Sequence, residues 1–139
     1  MIDLNALLAA AAVLVILALL FGTTAIKRRT RKALNSEYFG NRWKELQKLC
    51  GDKTTWPLAV IDADKLLDEA LRKSRVKGKT MGERLVTAQH DLTNNDAVWF
   101  AHKLRNKLVH EQYSGLKEND VKNALIGFRQ ALKDLGALK

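Results

Sequence analysis

From Leu4 to Ile26 the chain carries no charge, and Ala6–Phe21 is apolar without interruption. No polar stripe interrupts this run, so it is not the pattern of a helix that lies half-buried on a small globular domain. Wound as a helix it reaches about 34 Å, against a bilayer core of about 30 Å. Lys27, Arg28, Arg29, Arg31 and Lys32 follow at once. Cations beside a span are retained on the cytoplasmic side. The pattern therefore predicts a single-pass anchor in the plasma (inner) membrane, N-terminus outside, with the rest of the chain cytoplasmic. The competing reading is a cleaved secretory signal, with Thr23 and Ala25 as small residues near a cleavage point. Such signals carry positive charge ahead of the apolar core, and Met1-Ile2-Asp3 supplies none. Residues 1–32 then form the anchor and its basic border, and residues 33–139 one further domain, too short for two.

All 24 Lys and Arg lie beyond the expected span, as do the acids other than Asp3 out of 15. Part of the net charge of +9 is thus a border device, since anionic headgroups attract such cations by about 1 kcal/mol each. The remaining excess over residues 33–139 suits a polyanionic partner. Cys50 is alone, which excludes an intrachain disulfide framework and a thiolate metal site. His90, His102 and His110 share no metal-ligand spacing. No metal or cofactor is expected.

Helical periodicity dominates after the border, which predicts an all-α fold: the span followed by a compact bundle of about five helices. The first is expected from Ser36 to Cys50, with Phe39, Trp43, Leu46 and Cys50 in one stripe. Gly51-Asp52-Lys53 breaks it. Thr55 stands as a cap ahead of Pro57, opening a second helix to about Arg75. Its Ala59, Val60, Ala63, Leu66, Leu67, Ala70 and Leu71 cover a wide arc and mark it as central. Thr80-Met81-Gly82-Glu83 matches a capping box for a third helix reaching about Leu92. A fourth runs from Asp96 to about His110, and a fifth carries Val121, Leu125, Phe128, Leu132 and Leu135.

The fourth helix ends Leu104-Arg105-Asn106-Lys107-Leu108-Val109-His110. Arg84 and His90 also meet a bare Arg-to-His spacing, but only Arg105 is followed by Asn. With this motif, the central helix with Ala63-Asp64-Lys65-Leu66-Leu67-Asp68, the glycine loop after it and the closing amphipathic helix, residues 55–135 resemble the HEPN family of small helical bundles. The apolar span is no part of that resemblance. Active members of the family are metal-independent ribonucleases, usually with two motifs facing across a dimer cleft. The resemblance implies a homodimer acting on RNA, with Arg105 and His110 catalytic and Asn106 auxiliary. Lys77, Lys79, Arg84, Lys103 and Lys107 are the candidate backbone-binding cations. In such a site His110 would exchange a proton with an RNA 2′-hydroxyl or leaving oxygen, and Arg105 would stabilise charge on the phosphoryl oxygens.

A helical wheel gives an independent reason to look here. Arg105 falls inside the apolar arc of Ala97, Val98, Ala101, Leu104, Leu108 and Val109, so it needs an acid, a phosphate or an interface. Asp62, Asp64, Asp68 and Glu69 on the central helix are available acids. Arg105 and His110 stand about 140° apart, so either the last turn unwinds or a second copy completes the site. Two further readings remain. One is a catalytically silent, membrane-tethered helical interaction or scaffold module, in which Arg105 is simply paired. The other is a lipid-associated protein whose basic border is its whole function.

Overall fold

The computed structural model describes residues 3–29, 32–111 and 113–139, the first of these with side chains as far as Leu20. Within them the chain is all-helical: six α-helices, two short 3₁₀ turns and no strand. It divides into two compact units, residues 1–31 and 32–139.

The first unit holds α1 (Leu4–Arg29). Its apolar side chains, among them Leu7, Leu14, Ile16 and Leu19, are exposed. No helix among the described residues is long and apolar enough to cross a membrane, which departs from the expected span over residues 4–26. The side chains described for α1 stop at Leu20, and the run from Leu4 to there is only about 26 Å as a helix. The far end of the expected span and the cations Lys27, Arg28, Arg29 and Arg31 lie outside the described side chains.

In the second unit, α2 (Ser36–Lys48) starts where Asn35 Oδ1 accepts from the Tyr38 amide at 3.0 Å. Phe39, Trp43 and Leu46 form its buried stripe. Two 3₁₀ turns, Leu49–Gly51 and Lys53–Thr55, then lead into α3 (Trp56–Lys73). Thr55 occupies the cap position, but its hydroxyl donates to the Leu49 carbonyl at 2.6 Å instead of capping. Pro57 sits in the first turn, where its missing N–H costs little. α3 is the central element, packed against α2, α4, α5 and α6. It ends two residues before the expected Arg75, which takes a positive φ of 60° while the Val76 amide closes back on the Leu71 carbonyl.

α4 (Met81–Ala88) opens with Thr80 Oγ1 accepting from the Glu83 amide and Glu83 Oε2 accepting from the Lys79 amide. The second bond reaches one residue further back than a regular capping box. α4 stops short of the expected Leu92: the Gln89 and Asp91 amides close back three residues onto the Val86 and Ala88 carbonyls, and Asn95 Nδ2 takes the Gln89 and Leu92 carbonyls. Asn94 then caps α5 (Asn95–His110) through the Ala97 amide. α6 (Glu118–Asp134) lies along α5 and α3. At the α5–α6 crossing a Cβ on Gly127 would stand 2.5 Å from the Ala97 carbonyl oxygen, so only glycine allows this approach. The core between these helices is filled by Phe39, Leu66, Leu67, Leu71, Leu85, Val98, Phe128 and Leu132.

Candidate functional site

α3 carries Asp64 on its buried side, with a side chain only 4% exposed. A carboxylate so placed needs partners, because an unpaired charge held away from water costs on the order of several kcal/mol. α5 provides them. His102 Nδ1 lies 2.7 Å from Asp64 Oδ1, and Arg105 Nε lies 3.3 Å from Asp64 Oδ2. The arginine contact is ionic rather than hydrogen-bonded, since Nε has no partner at hydrogen-bond geometry. Arg105 Nη1 donates to Asn106 Oδ1 at 3.0 Å, and Asn106 Nδ2 stands 3.4 Å from His102 Nε2.

These four side chains close a ring, and it follows from helix geometry: residues three and four apart on α5 are surface neighbours. Donor assignment around it has one consistent solution. Arg105 only donates, so Asn106 Oδ1 accepts and Asn106 Nδ2 must donate. His102 Nε2 then accepts, which places the imidazole proton on Nδ1, facing the carboxylate. Trp99, three residues before His102, sets its ring edge-on to the imidazole at 5.9 Å.

Arg105 therefore has the acid partner from the central helix that its place in the apolar arc required. It is not sealed in: its side chain remains 25% exposed. His110, the last residue of α5, is exposed. α5 stays α-helical through it, so the last turn does not unwind, and one copy does not bring His110 to Arg105. Asn106 is half-buried beside Arg105.

The candidate cations divide. Lys77 and Lys79 are exposed in the loop before α4, and Lys103 and Lys107 are exposed on α5. Arg84, expected among them, is buried instead. Its Nε donates to Asp68 Oδ1 at 2.7 Å, Nη2 pairs with the same oxygen at 2.6 Å, and Nη1 donates to the Gly78 carbonyl at 2.6 Å. Every edge of that guanidinium is committed, so it ties the basic loop to α3 rather than meeting an outside phosphate. His102 was not expected at the site; its signal lay in its wheel position, about 60° from Arg105 and 40° from Asn106.

Among the described residues no three His, Cys, Asp or Glu side chains gather as a metal-ligand set. The ring can orient a guanidinium and an amide near the surface, while the exposed Lys103, Lys107 and His110 lie about 140° to 160° round the same helix from Arg105. The chain matches no family model, no curated protein and no solved structure.

Proposed function

We propose that the chain is a membrane-tethered, HEPN-like helical domain that binds RNA and cleaves it as a homodimer. The observation that carries this reading is the presentation of Arg105: anchored by Asp64 and Asn106, yet a quarter exposed on a helix that also exposes Lys103, Lys107 and His110. An arginine held from behind and open in front is ready for a phosphoryl oxygen without further ordering. Because α5 remains α-helical through His110, the imidazole that joins Arg105 comes from a second copy, which a shared membrane surface would concentrate. His110 then moves the proton between the RNA 2′-hydroxyl and the leaving oxygen. The exposed Lys77, Lys79, Lys103 and Lys107 hold the backbone electrostatically.

The tether rests on the charge-free residues 4–26, the exposed apolar side chains of α1 and the cations after them. It sets residues 33–139 on the cytoplasmic face of the inner membrane. Alkaline extraction of membranes checks it: the full chain stays in the pellet, and release into the supernatant removes the tether from the proposal.

The test of the chemistry uses the full chain in detergent micelles with single-stranded oligoribonucleotides and excess EDTA. Cleavage is expected, with His110→Ala abolishing it while thermal unfolding is unchanged. Replacing Lys77 and Lys79 with Gln should flatten the salt dependence of RNA binding by about 1.4 in logarithmic slope, since each phosphate neutralised on a single strand supplies about 0.7. A chain that neither binds nor cuts RNA ends this reading. The Asp64–Arg105 pair favours the alternative in that event: a catalytically silent scaffold docking another protein, where Arg105 serves only the bundle.

A further inference from the structure

We propose that His102 is a positioning residue for Arg105, acting through the Asn106 amide. This role deepens the RNA reading above and rests on it for its consequence, while the ring itself stands on geometry. His102 is buried on α5, with its side chain 9% exposed, and its Nδ1 is 2.7 Å from Asp64 Oδ1. An ionised carboxylate at that distance takes the imidazole proton onto Nδ1, which leaves the lone pair on Nε2. That lone pair faces Asn106 Nδ2 across 3.4 Å.

The consequence is directional. An Asn amide can turn over, exchanging its oxygen for its NH₂ at almost no cost in shape. Turned one way, Asn106 presents Oδ1 to Arg105 Nη1, as found at 3.0 Å. Turned the other way, it sets a donor against a donor and releases the guanidinium. His102 Nε2 accepts only from the NH₂ side, so it selects the first orientation. Trp99, edge-on to the imidazole at 5.9 Å and 74°, packs beside the ring that makes this choice. Asp64 thus holds Arg105 twice: directly through charge, and indirectly by fixing the tautomer that fixes the amide.

Two substitutions separate this role from a merely structural one. His102→Asn keeps an amide donor near the Nδ1 position for Asp64 and loses the acceptor toward Asn106. His102→Gln puts its amide near the Nε2 position, where its oxygen accepts from Asn106. A positioning role predicts that the Gln variant keeps RNA cleavage within about threefold and the Asn variant loses about tenfold, the low end for outer-shell groups. If the task of His102 is only to satisfy Asp64, the order reverses, and that overturns the proposal.

The tautomer is read without any variant. In the full chain labelled with ¹⁵N-histidine in detergent micelles, long-range proton–nitrogen spectra should show His102 as the neutral Nδ1–H form in neutral buffer. An Nε2–H form, or protons on both nitrogens, overturns it. Should the chain show no RNA activity, the function reading fails and the Asn106 side-chain amide protons decide this one. They stay protected from exchange in His102→Gln and lose protection in His102→Asn if the proposal holds; equal or reversed protection refutes it.

Discussion

Asp68 and Asp64 lie one turn apart on α3, and each meets an arginine from a later helix, yet the two pairs differ in construction. Arg84 reaches Asp68 with two nitrogens and Gly78 with the third, and its side chain is 9% exposed. Arg105 stands 3.3 Å from Asp64 with no hydrogen bond from Nε, spends one nitrogen on Asn106, and has a side chain a quarter exposed. A guanidinium can have all three nitrogens engaged by its own fold or be held by only part of its fork. The first arrangement serves the bundle. The second leaves capacity for an outside anion, and this difference keeps Arg105 as a site candidate while it removes Arg84 from the expected backbone-binding cations.

The largest expected effect tests the closed pair. Arg84→Ala strands the Gly78 carbonyl and leaves Asp68 with only the largely exposed Arg72, 3.2 Å away. Breaking a buried pair from one side should cost about 3 kcal/mol in denaturant unfolding. Arg105→Ala should cost about 1 kcal/mol, because Asp64 keeps its hydrogen-bonded His102 and Arg105 is already partly in water. Equal losses for the two variants would break the comparison.

Gly78 sharpens the same side. Its φ is 153°, and an added Cβ would lie 2.7 Å from the Arg84 amide nitrogen and 2.9 Å from Arg84 Cγ. Gly78→Ala must therefore move the loop or the arginine, at about 2 kcal/mol for a strained backbone position. Thermal unfolding of this variant should fall well below that of Gly115→Ala, where a Cβ meets nothing within 4 Å though the backbone is also at positive φ.

How far each pair could be read beforehand follows from the same geometry. The five bundle helices and the central place of α3 were visible in periodicity, as was the need of Arg105 for a partner, because its position within one helix is fixed by 100° steps. Which of four carboxylates answered that need depended on how α5 crosses α3, and no single-helix wheel contains a crossing. Arg84 was harder. It lies on a short helix after a glycine loop, and its burial depends on that loop folding back so that Gly78 meets the guanidinium. The early end of α4 is local: its last amides tighten to three-residue closures on Val86 and Ala88, and Asn95 Nδ2 satisfies the Gln89 and Leu92 carbonyls left free beyond them. His102 belongs to no motif that spacing marks, and its role shows only in its neighbours on the wheel, Arg105 and Asn106.

A third carboxylate on α3 extends the comparison to a pair whose lysine is half exposed, with the smallest expected effect. Glu69 accepts from Tyr38 Oη at 3.2 Å and pairs with Lys73 at 2.8 Å, and the Lys73 ammonium sits 4.5 Å over the Tyr38 ring. Burial pushes the Glu69 carboxyl up, but the hydrogen bonds from Lys73 and Tyr38 and the charges of Lys73 and Arg42 together outweigh it and hold the group below its ordinary value. A carboxylate lowered in the folded state contributes stability that is present above its unfolded value and lost as pH falls through the lowered one. Glu69→Gln should therefore cost about 0.5 kcal/mol near neutrality, the scale of exposed pairs, and the gap to wild type should close under acid as the wild-type carboxyl protonates. Unfolding curves in urea across that range measure it. A gap that stays constant with pH would mean that Glu69 acts through packing alone, and the gradient from sealed to open to solvated pairs along α3 would then end at Asp64.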